Sequence, residues 1–177
     1  HNQSRRQRQM CIRDSLSSLD SKTKTFVETP NQANLSDLRT AWLNSYKAWQ
    51  HVEMFDIGKA EEIFYKSKMN IYPVDKSWLE NSVSTGNYGL DNANSYSSQG
   101  LPALDYLLNG VAASDNDIIT KYTANNKYKN YLSAVVAKMI SNTKLVVDDW
   151  STYKASFVSS TANTSTSSAN KLINDFI

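Results

Sequence analysis

The pattern of apolar and polar positions along the chain predicts helices, and the clearest of them follows Asn34. Apolar residues recur there every three or four positions, the spacing of one face of an α-helix with about 3.6 residues per turn. Asn34 is predicted to cap this helix, with Asp37 three residues on in the position of a capping box. The apolar face consists of Leu35, Leu38, Trp42, Tyr46 and Trp49.

Weaker patterns predict further helices. A helix over Leu16–Thr29 should stop before Pro30, because the residue before a proline is disfavoured in the helical conformation. A long amphipathic helix is predicted from about Asn126 to Ser159. The stretch Gly86–Gly100, rich in Asn, Ser, Tyr and Gly, is predicted to be a long irregular connection. Shorter helices are predicted over 60–66, 75–85, 101–109 and 169–177.

The predicted fold is therefore all-α, an up-and-down helical bundle with a long irregular connection. Five Gly and three Pro among 177 residues argue against an all-β domain, whose tight turns need more of both. No apolar run approaches the roughly 20 residues that a membrane-spanning helix needs. We assign residues 16–177 to one helical domain and expect it to be truncated on its C-terminal side, because the last helix is still apolar where the sequence stops.

The first fifteen residues have a different character. His1–Ser15 contains four arginines against a single acid and has no helical periodicity. Its hexapeptide Met10–Ser15 resembles the translation of an adaptor used in sequencing libraries. We therefore interpret residues 1–15 as a sequencing artefact and expect them to be disordered. The alternative is a basic arm that binds nucleic acid or acidic lipid.

This interpretation changes the charge and the available chemistry. Without residues 1–15, 15 basic and 16 acidic residues remain, and the net charge changes from +2 to −1. No nucleic-acid partner is then expected. Cys11, the only cysteine, also lies in the excluded segment, and His51 becomes the only histidine. A disulfide framework, a cysteine nucleophile and a zinc site with several Cys or His ligands are all excluded.

Two acidic residues are predicted to lie on apolar helix faces. Measured from Trp42 at about 100° per residue, Glu53 lies at about +20°, in the middle of the apolar stripe. Asp56, at about −40°, shares this face if the helix extends that far, whereas His51, at about 180°, points to solvent. In the helix after Gly100, Asp105 lies at about +40° when the angle is measured from Leu101, within the arc formed by the leucines.

Such carboxylates have two interpretations. Burying an unpaired carboxylate costs several kcal/mol, so buried acids are paired, hydrogen-bonded or bound to a cation. In a structural role, Glu53 would cap a neighbouring helix or pair with Arg39 or a lysine, and Asp105 would interact with the helix dipole. In a functional role, both would hold a cation.

Two runs of residues carry a resemblance to a known family. The run Ala41–Gly58 (AWLNSYKAWQHVEMFDIG) resembles the first motif of the imelysin family, and Gly100–Leu108 (GLPALDYLL) is similar to its second, Gly-x-His-x-x-Glu. Pro102 stands where the family has its histidine, and Asp105 where it has glutamate. By resemblance, Glu53 and Asp105 are the acidic pair. The resemblance also implies a four-helix-bundle-like half related to a second half, with the motif residues in a cleft between them.

The family consists of exported bacterial helical proteins classed with the M75 metallopeptidases and includes a component of iron uptake. The resemblance therefore implies an exported protein or a lipoprotein of the periplasm or outer membrane. For a lipoprotein, the lipid anchor is expected in the part that precedes this chain. We expect it to bind a divalent or ferric cation, or an iron-containing ligand, through Glu53, Asp105 and Asp56, and to have an envelope protein as partner. The alternatives are an M75-type metallopeptidase and a non-catalytic helical interaction module without an ion.

Overall fold

The computed structural model describes residues 2–162, 164–165 and 167–174, and in these ranges it contains helices and no strand. A 3₁₀-helix covers Ala93–Ser98 and a π-helical turn covers Tyr106–Gly110. None of the described helices is both long and apolar enough to cross a membrane. The α-helices of these ranges are α1 (Asn2–Glu28), α2 (Gln32–Gln50), α3 (Lys59–Glu62), α4 (Tyr65–Met69), α5 (Lys76–Thr85), α6 (Gly100–Asp105), α7 (Asp115–Ala124), α8 (Lys127–Ser159) and α9 (Ser168–Asn174).

The long helices form a bundle, which confirms the predicted all-α fold. Helix α1 packs along α2 and α8, and α7 packs against both α2 and α8. Each contributes fully buried apolar side chains to one core, among them Phe26 of α1, Leu38 of α2 and Val135 of α8. Phe26 also meets the buried ring of Tyr122 of α7 edge-on, with their centroids 4.9 Å apart. The core therefore lies between elements that are far apart in the sequence.

The junction between α1 and α2 lies where the sequence placed it, but the predicted cap was wrong. Helix α1 ends at Glu28, before Pro30, as expected. The N-cap of α2 is Asn31, whose side chain accepts a hydrogen bond from the backbone N–H of Asn34. Asn31 follows the proline in an extended conformation and so precedes the first helical turn. Asp37 forms an ion pair with Lys22 of α1, at 2.7 Å.

The segment 1–15, which we expected to be disordered, has a helical backbone from Asn2 onward and forms the start of α1. Ile12 is 2% exposed and belongs to the hydrophobic core together with Leu16 and Leu19. Ile12, Leu16 and Leu19 are spaced four and three residues apart, so a continuous helix places them on one face. The origin of residues 1–15 in an adaptor stays a prediction.

The connection between α5 and α6 is irregular but well anchored. Asp75 caps α5 and Gly86 ends it, in agreement with the helix predicted over 75–85. The backbone N–H of Asp75 donates to the carbonyl of Ser97 at 2.8 Å, and the hydroxyl of Tyr131 in α8 donates to the carbonyl of Ser98 at 2.7 Å. These bonds fix the end of the connection, and therefore the start of α6, against the bundle.

Arg39 of α2 joins three elements. Its guanidinium donates two hydrogen bonds to the carbonyl of Leu108, in the π-helical turn, and forms a bidentate pair with Asp115 at the start of α7. A π-helical turn breaks the regular hydrogen-bond ladder, so a cation on one of its carbonyls stabilises it. The hydrogen bonds from Arg39 and Gln32 lower the pKa of Asp115 to about 2.

Gly100 allows α6 to begin close to the end of α4. Its φ is +75°, which favours glycine, and a Cβ built at this position would lie 2.6 Å from the carbonyl carbon of Met69 and 2.7 Å from the carbonyl oxygen of Lys68. Gly86 has the same φ of +75°, but nothing lies within 4 Å of its Cβ position. The two glycines therefore have the same φ and differ only in the room available for a Cβ atom.

We expect Gly100→Ala to destabilise the protein more than Gly86→Ala. The Gly86 variant bears only the strain of a left-handed alanine, about 1–2 kcal/mol, whereas the Gly100 variant must also displace the backbone of α4. Urea unfolding of both variants measures the difference. Equal losses of stability would show that the close approach of α4 and α6 does not exist.

The Arg39–Asp115 pair predicts an acid-dependent stability. The folded pKa of Asp115, about 2, lies below the roughly 3.9 of an unfolded aspartate, so the pair stabilises the fold above about pH 4 and this stabilisation is lost as the pH falls toward 2. The Tm deficit of Asp115→Asn should thus be largest at neutral pH and shrink steadily below pH 4. The control Asp148→Asn removes an exposed pair with Lys144 within α8 and should lower the Tm little at any pH. A deficit of Asp115→Asn that does not change with pH would contradict this assignment.

Candidate functional site

The two runs that resemble family motifs meet in space. The indole N–H of Trp42, in α2, donates to the backbone carbonyl of Leu101, in α6, at 3.0 Å. Trp42 also stacks on Tyr46 one turn later, with ring centroids 5.9 Å apart and an interplanar angle of 27°. One face of α2 therefore holds α6 at its first turn and exposes part of an aromatic pair beside it.

A cleft of about 760 Å³ opens at this junction. Helix α2 supplies its aromatic pair, the segment after α4 and the start of α5 supply a second side, and α6 with the π-helical turn supplies a third. The side chains combine aromatic surface with one acid, one lysine and two amides. The lining residues are Trp42, Tyr46, Asn70, Tyr72, Pro73, Val74, Lys76, Pro102, Asp105, Tyr106, Asn109 and Gly110.

Asp105 lines the cleft but is exposed, so the prediction that it is buried among leucines was wrong. Leu101, Leu104 and Leu108 are buried, and so are Ala103 and Leu107. These two further residues shift the centre of the buried face of the helix away from Asp105. One carboxylate oxygen, Oδ1, accepts a hydrogen bond from Asn109 at 2.9 Å. The carboxylate therefore faces the cleft, within reach of a ligand.

Glu53 lies behind the cleft wall. Helix α2 ends at Gln50, so the helical angle computed for Glu53 does not apply, although its N–H still donates to the carbonyl of Trp49 at 2.9 Å. Its side chain is half-buried, and Oε1 accepts a hydrogen bond from the side-chain amide of Asn70 at 3.4 Å. Because Asn70 lines the cleft, Glu53 acts on it through one intermediate side chain. Arg39, one of the partners considered for Glu53, pairs with Asp115 instead.

Asp56 lies in the segment between α2 and α3, half-buried and outside the lining of the cleft. Its assignment as a metal ligand stays a prediction. His51, at the end of α2, is exposed, as the helical angle predicted. Of the three predicted ligands, the structure therefore places one in the cleft, one behind its wall and one outside it.

The donor set does not fit a catalytic zinc. In the part of the chain that the structure describes, no three His, Cys, Asp or Glu side chains gather closely enough to hold a metal ion. A hydrolytic zinc usually has three protein ligands, most often including histidine. Pro102, which replaces the motif histidine, lines the cleft without offering a side-chain donor. We therefore derive no hydrolytic step from this site.

Tyr106, Glu80 and Lys76 are site residues that the helical patterns did not reveal. The hydroxyl of Tyr106 donates to Glu80 Oε1 at 2.8 Å, and the hydroxyl of Tyr128 in α8 donates to Oε2 at 2.6 Å. Burial and the Glu80 carboxylate raise the pKa of Tyr106 to about 12, so it remains a hydrogen-bond donor. The Nζ of Lys76 lies 5.3 Å from the centre of the Tyr106 ring. Tyr106 directly follows Asp105, so the family motif pointed to its position. No sequence pattern in α5 pointed to Lys76 or Glu80.

The family model described as Imelysin, peptidase M75, matches residues 12–177. Iron-regulated protein A of Synechococcus elongatus is 27% identical over 66 residues, which cover 37% of this chain and 18% of that protein. The chain thus aligns with less than a fifth of that relative's length. No solved structure matches the chain.

The family match covers nearly all of the chain, including both motif runs and every residue that lines the cleft. It begins at Ile12, which is buried in the core. The chain therefore belongs to the imelysin family.

Proposed function

We propose that this protein binds an iron-containing ligand in the cleft between α2 and α6. The observation that carries the proposal is that both family motifs supply walls of one cleft, through Trp42 and Tyr46 on one side and Pro102, Asp105 and Tyr106 on the other. A cleft of about 760 Å³ has the size of a small-molecule site. The likeness to an iron-regulated protein supports iron as part of the ligand.

The cleft suits a chelated iron better than a bare ion. A hard cation bound directly by a protein takes about six oxygen ligands. Among the described lining residues, Asp105 is the only carboxylate, and Asn70 and Asn109 add two amides. A chelate brings its own donor atoms and fills the volume, so Asp105 would contact the chelate directly and Glu53 would act through Asn70.

Membership of the imelysin family supports an exported protein of the bacterial envelope, in the periplasm or at the outer membrane. An envelope protein that delivers or receives the iron-containing ligand is the partner expected for such a role. Peptidase activity is not part of this proposal, because the donor set of the cleft does not fit a hydrolytic metal.

We expect Asp105→Asn to weaken the binding of ferrichrome and ferrioxamine B, whose N–H groups can donate to this carboxylate, by about tenfold, equivalent to about 1.4 kcal/mol. Isothermal titration calorimetry of the full chain with ferric citrate, ferrichrome and ferrioxamine B measures this, with the iron-free chelators as references. Glu53→Gln should weaken binding less, because Glu53 reaches the cleft through Asn70.

Glu61→Gln is the matched control, since Glu61 is an exposed acid of α3 outside the lining of the cleft. It should bind each chelate as the unchanged protein does. Failure of all three chelates to bind, or equal affinities for the Asp105 and Glu61 variants, would contradict the proposal. A non-catalytic module without an ion would behave in this way.

A further inference from the structure

We propose that the ligand of the cleft carries an organic cation, an ammonium group that rests against the aromatic wall beside Asp105, so that the cleft selects cationic over anionic iron chelates. This inference deepens the proposed function and rests on it. Three features of the cleft carry it: its aromatic lining, an ammonium group of the chain already placed on that lining, and the excess of carboxylates around it.

Aromatic rings dominate the wall. Trp42 and Tyr46 lie together in a stacked pair on α2, and Tyr106 lines the cleft from the π-helical turn. Tyr72, which also belongs to the lining, is 86% exposed. The negative face of an aromatic ring attracts ammonium groups, and several rings around one cavity are a common way to bind an organic cation.

Lys76 shows that this wall accepts an ammonium group. Its Nζ lies 5.3 Å from the centre of the Tyr106 ring, within the distance at which a cation is attracted to a ring. Lys76 is exposed and is the first residue of α5, so its long side chain can leave the ring without disturbing the fold. An ammonium group of a ligand would take the place that Lys76 occupies.

Among the described residues that line the cleft or form a side-chain hydrogen bond with its lining, carboxylates outnumber ammonium groups. Asp105 belongs to the lining, and Glu53 and Glu80 each lie one hydrogen bond behind it, through Asn70 and Tyr106. Lys76 is the cation among the described lining residues, and Lys121 lies farther back, with its Nζ 5.2 Å from the ring of Tyr128, whose hydroxyl donates to Glu80. An anionic chelate would be repelled by Asp105, and Lys76 is the lining cation that could offset this repulsion. The binding of anionic chelates is therefore disfavoured.

The position of Tyr106 is fixed before any ligand binds. Its hydroxyl is held by Glu80, and its ring lies against Gly110, where an added Cβ would be 2.7 Å from ring carbon Cδ2. A ring that is already in place loses little conformational entropy on binding. Glu80 is therefore a positioning residue for the aromatic wall.

A pair of ligands that differ in one charge tests the proposal. Ferrioxamine B is a ferric hydroxamate chelate with a free ammonium group, and its N-acetyl derivative has the same chelate without that charge. We expect calorimetry to show that ferrioxamine B binds the full chain about tenfold more tightly than the acetylated chelate, and more tightly than anionic ferric citrate.

Two variants extend the test, one that removes a negative charge from the cleft and one that removes a positive charge. Asp105→Asn should remove most of the preference for ferrioxamine B over its acetylated form. Lys76→Met should strengthen the binding of ferrioxamine B several-fold, because it frees the ring of Tyr106 and removes a like charge. Both residues are exposed, so thermal unfolding should show that the variants fold as the unchanged protein does.

Equal binding of the two ferrioxamines, or tighter binding of ferric citrate, would overturn the cation preference while leaving the binding of iron chelates in place. If iron-free desferrioxamine B bound as tightly as its iron complex, the cation preference would stand and the proposed iron function would fail. Absence of binding for every one of these compounds would overturn both.

Discussion

The structure depends on the way in which α2 holds the backbone of α6 and the turn after it. Trp42 donates to the carbonyl of Leu101 at the start of α6, and Arg39 donates to the carbonyl of Leu108 in the π-helical turn. The carbonyl of Leu101 has a second lone pair beyond its place in the helix, and the π-helical turn departs from the regular hydrogen-bond ladder, so side-chain donors can bind both carbonyls at little cost. Two side-chain donors of α2 thus hold α6 at its start and the π-helical turn after it. The cleft is the space that remains between α2 and these two elements.

Much of the fold could be predicted because it follows from local patterns. Pro30 ends α1, the apolar stripe from Leu35 to Trp49 builds α2, and the long stripe after Asn126 builds α8. Helix α7 was not predicted, although its cap Ser114 accepts from Asp117 in the usual manner. Its buried residues, Ile118 and Tyr122, make too short a stripe to be recognised from the sequence.

The site could be predicted only in part, because its geometry depends on where helices end. An angle of about 100° per residue holds only inside a helix, and α2 ends three residues before Glu53. The family motif led to Asp105, which lines the cleft, but the helical wheel placed it inside the core, whereas it is exposed. Asn70 and Lys76 come from segments whose path is set by tertiary contacts such as the close approach at Gly100, which no periodicity reveals.

We propose that the two motif runs of this imelysin-family chain form one site for an iron-containing ligand. Anomalous diffraction at the iron absorption edge, from crystals of the protein grown with ferrioxamine B, tests it most directly. We expect a single strong anomalous peak inside the cleft, between Trp42 and Asp105. A peak elsewhere on the molecule, or an ordered cleft with no peak, would contradict it.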